Sequence, residues 1–426
     1  MDRTIEDFVR GLGLDAYLVG GAVRDELLGL ESKDADFVVP GVDYDGLRRA
    51  LEPHGRVEDF EVAGRRVGAR LYPRDKSVRA AAPAGIEFAP PRAERSTGPG
   101  RHDFEIVADP NLSIEDDMAR RDFTVNAIAR RLDTGDLVDP FNGADDLRER
   151  VLRTVSDHSF VEDPLRIVRG LRLISQVGLT PDEATLEQMR DAADNVRLVS
   201  GERLGEELSK LLLGAQPARA LQVARDTGVL DALVPELDPS LDAHTFTVVQ
   251  AAADAGARLP VRLAALLHDS GKPSAPLAEH AARSAELARQ ALARLRYPTR
   301  LRGYVVSLIA AHAFWLDDID DLFARRFLRE HGDELAFDLV THKQADLTGK
   351  QRPKDELAAA RLRELLEQER SQPHRLGDLA VDGSDLLELG YVEGPELGRT
   401  LESLLDAVVD DPSLNTREQL LERARR

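Results

Sequence analysis

Apolar and polar positions alternate along this chain at two different periods. In the first part, short apolar runs of β character, Tyr17-Leu18-Val19, Asp36-Phe37-Val38-Val39 and Phe104-Glu105-Ile106-Val107, are separated by helical segments. Beyond about Leu165, nearly every stretch carries its apolar residues at helical spacing. The pattern predicts an α+β protein, a small α/β head on an all-α body. Between Lys76 and Arg101 the head is broken by Ala80-Ala81-Ala82-Pro83, Pro90-Pro91 and Gly98-Pro99-Gly100, which predicts a long mobile loop. A new helical unit is expected near Asp238-Pro239, and a polar, Gly-containing segment after Gln372-Pro373. The expected domains are therefore 1–143 (head), 144–237 (helical neck and body), 238–370 (a second helical domain) and 371–426 (a helical tail).

Composition narrows the class. With 426 residues, 42% hydrophobic and 31% charged, the chain has material for several soluble domains. No apolar run approaches the roughly 18 residues of a spanning helix, so no membrane role is expected. The first ten residues carry Asp2, Glu6 and Asp7, unlike a secretory signal, and the expected location is the cytosol. The absence of Cys excludes disulfides, thiolate zinc sites and cysteine nucleophiles, leaving His, Asp and Glu as metal ligands. A net charge of −20 argues against a nucleic-acid partner if spread evenly. Arg greatly outnumbers Lys, however, which suits local bidentate contacts to phosphates or bases. A coding bias toward Arg remains the alternative.

Asp34-Ala35-Asp36 opens an apolar β-like run, and residues two apart on a strand share a face. Two converging carboxylates suit Mg²⁺, which binds one or two carboxylates together with substrate phosphates. Upstream, Gly20-Gly21-Ala22-Val23-Arg24-Asp25 follows a strand and opens a helix, so backbone N–H groups and Arg24 can face a phosphate. Taken singly, the Asp pair also reads as a solvated turn and the Gly pair as a tight turn. The whole string from Tyr17 to Asp36, however, resembles the head signature of the class II tRNA nucleotidyltransferase and poly(A) polymerase family. That resemblance implies a polymerase-β-like palm in which Asp34 and Asp36 hold the catalytic metals, while Gly21 and Arg24 contact the incoming triphosphate.

Further motifs follow in that family's order. Glu115-Asp116-Asp117-Met118-Ala119-Arg120-Arg121-Asp122-Phe123-Thr124-Val125-Asn126-Ala127 is similar to its second motif, which implies that Arg121 and Asp122 approach the nucleotide. Asp139-Pro140-Phe141-Asn142-Gly143 reads as a turn and matches the segment between head and neck. Glu162-Asp163-Pro164-Leu165-Arg166, with Arg169 and Arg172 at helical spacing, looks like the Glu-Asp-x-x-Arg motif. Asp offers acceptors and Arg donors, so this pair matches an amine beside a ring nitrogen, which cytosine and adenine both present. Arg169 would support them. The alternative is an ordinary helix start, with Asp163 as its cap and the arginines on a solvated face. Glu202 to Leu212 resembles the neck motif and is expected to form a packing helix.

Six histidines fall between His244 and His342. The order His244, His268-Asp269, His280, His312, Asp346 is similar to the HD phosphohydrolase superfamily, whose helices donate imidazoles and carboxylates to one or two metals that activate water. His280 and His312 match less closely, and a plain surface role stays open for each. His331 and His342 are read as surface residues.

Together the motifs resemble the bacterial CCA-adding enzymes that carry an HD domain. The resemblance implies metal-dependent transfer of CMP and AMP, from CTP and ATP, to a tRNA 3′ end, with Mg²⁺ in the head and an unidentified divalent metal in the HD domain. It also implies a phosphohydrolase or phosphodiesterase activity there. Poly(A) polymerase or partial CC- or A-addition is the near alternative, since the segment around Ala80 to Gly85 lengthens the loop before Pro91. An HD phosphohydrolase whose head only binds RNA is the alternative of another class, and a non-catalytic RNA chaperone a third.

Overall fold

Tyr17-Leu18-Val19 forms a strand because β-favouring apolar residues sit between the helix Arg3–Gly11 and a glycine turn. This strand, β1, lies inside a seven-stranded sheet ordered β3-β4-β5-β2-β1-β8-β9. Its members are β2 Asp36–Val38, β3 Gly55–Val62, β4 Arg65–Pro73, β5 Ile86–Ala89, β8 Ala129–Arg131 and β9 Leu137–Val138. β6 Arg92–Ser96 and β7 Phe104–Ala108 make a separate hairpin. The computed structural model describes residues 1–30, 35–62, 65–96 and 104–425. Asp34 lies outside the described residues.

β2 and β5 run parallel, with Asp36 opposite Glu87 and Phe37 opposite Phe88. The other sheet pairs are antiparallel. Phe37 and Phe88 are both buried and stack with ring centroids 5.5 Å apart. The loop expected from Lys76 to Arg101 is corrected by three elements within it: a helix over Lys76–Ala81, then β5 and β6. Asp75 caps the helix and Gly85, at φ 89°, turns the chain into β5. The Pro and Gly residues punctuate short elements here, and β5 takes its stability from the strands on either side, which local composition does not show.

The chain divides into two compact units, Met1–Leu233 and Val234–Arg426. After the sheet, the first unit is helical apart from a two-residue parallel bridge between Val151–Leu152 and Thr180–Pro181. Its helix Leu165–Val177 packs against Gly201–Leu212 and Pro217–Asp226. The second unit is built around Leu259–Leu267, where every residue from Val261 on is buried. Asp242–Asp254, Thr299–Ala311 and Asp321–Gly349 pack on it. The last of these breaks at Gly332, where φ is 70°. Gly383–Glu388, Pro395–Asp410 and Arg417–Ala424 close over a core of Val381, Leu386, Leu404, Val408 and Leu420. Arg325 Nε donates to the Val409 carbonyl at 2.7 Å and ties this segment to the kinked helix. No helix among the described residues is long and apolar enough to cross a membrane.

Candidate active site and candidate metal centre

In the first unit, a cavity of about 430 Å³ opens where the glycine turn meets β2, β5 and the start of the helix Leu165–Val177. Gly20 precedes the helix Gly21–Leu27 at φ 71°, ψ −133°, and a Cβ there would stand 2.7 Å from Arg121 Nη1. The turn is thus glycine both for its backbone angle and for the arginine beside it. Arg24, on the helix, donates to Asp25 at 2.7 Å and to Asn126 Oδ1 at 2.8 Å. Asp36 lines the cavity, with its register partner Glu87 on the same face of the sheet. These oxygens are hard donors, the kind Mg²⁺ takes.

Arg121 and Asp122 come from the segment after the helix Ile114–Ala119. Asp117, fully buried, accepts from Arg120 Nε and Nη2 at 2.9 and 2.8 Å and from Arg121 Nη2 at 3.1 Å. Burial pushes its carboxyl up, but Arg120 and Arg121 outweigh burial and hold it below the usual carboxylate range. Asp122, also buried, accepts from Asn126 Nδ2 at 3.0 Å and pairs with Arg169 Nη2 at 3.0 Å. Burial is again overcome, here chiefly by Arg169, and its carboxyl stays low.

Asp163 Oδ1 accepts from the amide of Leu165, the first residue of the helix, at 3.1 Å. Its other oxygen takes a 2.8 Å bond from Arg203 Nη2. Arg166 turns beneath the helix to the Arg120 carbonyl at 2.8 Å and to Glu162 at 2.8 Å. Arg172 pairs with the buried Glu207 at 2.9 Å. The helix Gly201–Leu212, expected only to pack, therefore also positions Asp163 and Arg172. Among described lining residues, seven arginines face four carboxylates. Positive charge of a kind suited to phosphate is thus concentrated in one place on an acidic chain. Glu87, Asn126, Asp117 and Arg203 were not singled out from sequence, although Asn126 and Asp117 stand inside the second motif.

The second unit gathers His244, His268, Asp269, His280, His312 and Asp346, all buried except the half-buried His244. Two triads, His244–His268–Asp346 and Asp269–His280–His312, each hold their ligand atoms within 4.8 Å of one another. His268 Nδ1 donates to the Ala265 carbonyl at 2.9 Å and His312 Nδ1 to that of Ile309 at 2.6 Å. His280 Nδ1 does the same to Leu277. Each such bond fixes the tautomer and leaves Nε2 as the nitrogen that can face a cation. A Cβ on Gly349 would stand 3.1 Å from His244 Nδ1, so this glycine admits the His244 ring.

Burial works against a charge on His268, yet Asp269 and Asp346 push it up to about 9. Burial and the neighbouring His268 press His312 down to about 3. His244 Nε2, His268 Nε2, Asp269 Oδ1 and Asp346 Oδ1 have no hydrogen-bond partner of good geometry. A buried set of imidazole nitrogens and carboxylate oxygens left in this state fits divalent cations. Two sequence readings are corrected here. His331 is half-buried with its ring 4.5 Å from Phe327, and His342 is fully buried, its ring 5.0 Å from His268. His342 stands one helical turn before Asp346, a spacing visible in the sequence.

Comparison with known proteins agrees with this geometry. The poly(A) polymerase head domain matches residues 16–153. A model for the RNA- and SrmB-binding site of polymerase A matches 178–241, and one for tRNA nucleotidyltransferase domain 2 matches 276–424. The multifunctional CCA protein of Azoarcus sp. is 41% identical over 322 residues, covering 70% of this chain and 73% of that one. That of Ralstonia nicotianae is 37% identical over 328 residues, covering 70% and 72%. Among solved structures, the Bacillus stearothermophilus CCA-adding enzyme in complex with CTP superposes with a TM-score of 0.74 at 27% identity, over 99% of this chain and 96% of that one. The chain therefore belongs to the tRNA nucleotidyltransferase and poly(A) polymerase family, among the CCA-adding enzymes.

Proposed function

We propose that the first unit adds CMP and AMP, taken from CTP and ATP, to the 3′ hydroxyl of tRNA and releases pyrophosphate, completing CCA. The observation that carries this reading is the arginine-lined cavity that brings Gly20, Gly21, Arg24, Asp36, Arg121, Asp122, Asp163, Arg166 and Arg169 together. Asp36, with Asp34 before it and Glu87 beside it, would hold Mg²⁺. When bound, that ion would lower the pKa of the attacking hydroxyl and stabilise the leaving pyrophosphate. Arg24 and Arg121, each held by a protein acceptor, bind the triphosphate at the glycine turn. Asp122, Asp163 and Arg166 fix the nucleoside, with Arg169 holding Asp122. The cytosol suits such a reaction, since tRNA and nucleoside triphosphates meet there.

The histidine cluster supports a second activity in the same chain, metal-dependent hydrolysis of a phosphoester. One pair of variants tests both readings. Purified chain is given tRNA transcripts ending before CCA, after C and after CC, with CTP and ATP singly and together. The wild type should extend each to CCA and stop, and Asp36→Ala should lower addition by about a thousandfold or more. Long A tails on unrelated RNA would replace the CCA reading with poly(A) synthesis. His268→Ala should keep addition and lose hydrolysis of 2′,3′-cyclic AMP, while Asp36→Ala keeps that hydrolysis. Loss of both activities in either single variant would refute two separate sites.

A further inference from the structure

The second half of the kinked helix Asp321–Gly349 carries His342 and Asp346 one turn apart on a common face. His342 is fully buried, and neither of its ring nitrogens has a hydrogen-bond partner among the described residues. The other three buried imidazoles of the cluster, His268, His280 and His312, each rest Nδ1 on a carbonyl one turn back, whereas His342 has no such anchor. A buried ring with two unpaired polar atoms gains nothing over Leu or Phe as packing and forfeits its hydration.

Position supplies the second observation. The His342 ring centroid lies 5.0 Å from that of His268 and 5.6 Å from that of His312, and these two lie 5.3 Å apart. Imidazoles that share one ion through metal–nitrogen bonds of about 2.1 Å at a tetrahedral angle place their ring centres about 5 Å apart. His268 belongs to one triad and His312 to the other, so the His342 ring neighbours one imidazole of each.

We propose that His342 is a further metal ligand of this centre, bringing it to seven side chains, five of them imidazoles. The inference rests on the reading of the cluster as a metal centre. It also specifies the class of ion. Five imidazoles beside two carboxylates favour a first-row transition ion such as Co²⁺, Ni²⁺ or Zn²⁺ over Mg²⁺, which prefers oxygen and retained water.

The test uses the full chain, stripped with chelator and titrated with Co²⁺, following heat of binding, bound metal and the visible ligand-field bands. His342→Leu fills the volume without nitrogen, and His342→Gln keeps polarity should the leucine variant fail to fold. Both variants should bind one equivalent fewer, or bind at least about tenfold more weakly, with an altered visible band. In wild-type chain carrying ¹⁵N-histidine, a His342 ring nitrogen should also shift on adding Zn²⁺. Unchanged stoichiometry and bands, with affinity within about twofold of wild type, would make His342 a packing residue and leave the metal centre standing. A wild-type chain that takes up neither Co²⁺ nor Zn²⁺ would overturn the centre and the role of His342 together.

Discussion

Asp117 shows how one side chain organises the arginine-lined cavity without lying on its surface. With no exposure to water it holds Arg120 and Arg121 by three charge-assisted bonds, and its Oδ1 also takes the Arg92 amide at 3.3 Å. Asp117→Asn removes the charge those guanidiniums share and should cost about 3 kcal/mol of stability. It should also raise KM for ATP and CTP, because Arg121 loses its anchor. The pH dependence follows from the depressed carboxyl. The contribution is fully present above the unfolded value of about 3.9, and is lost as pH falls through the lower folded value. Chemical denaturation should therefore show a constant gap between wild type and variant at neutral pH, closing only in strong acid. A gap that closes near neutrality would assign the stabilisation to another group.

At the scale of elements, the site is assembled by β5. This strand carries Glu87 to the side of Asp36 and seals the core beneath them through Phe88, which is 1% exposed and stacked on Phe37. β4 can lie this close because Gly68 has no side chain, since a Cβ there would meet the Phe88 carbonyl at 2.7 Å. Phe88→Ala should cost about 3–5 kcal/mol and weaken nucleotide addition with it. The denaturant midpoint and the addition rate of one preparation check this. A stability loss below about 1 kcal/mol would mean that the cavity floor does not depend on the stack. Short and bounded by Gly85 and Pro90, β5 was hidden in what reads as a loop, because its hydrogen-bond partners come from β2 and β4, distant in sequence.

At the scale of the whole molecule, an acidic chain of net charge −20 concentrates seven arginines among the described residues that line one cavity. Attraction for a triphosphate is local there and opposed by the remainder of the surface, so it should be sensitive to screening. Raising salt from about 0.05 to 0.5 M shortens the Debye length severalfold and should raise KM for ATP by about fivefold or more. A KM that stays level would show that the arginines are neutralised by their own carboxylates. The amino-acid order alone determined the α+β head, the helical remainder, the ordered nucleotidyltransferase motifs and most of the histidine set. All of these are local: a period, a turn, or residues a few positions apart. Only the tertiary structure decided that Glu87 stands beside Asp36, that Arg203 holds Asp163, and that His342 is buried between His268 and His312. Those pairings join segments far apart in the chain, and which distant groups meet is set by how strands pair and helices pack, which no local pattern of residues records.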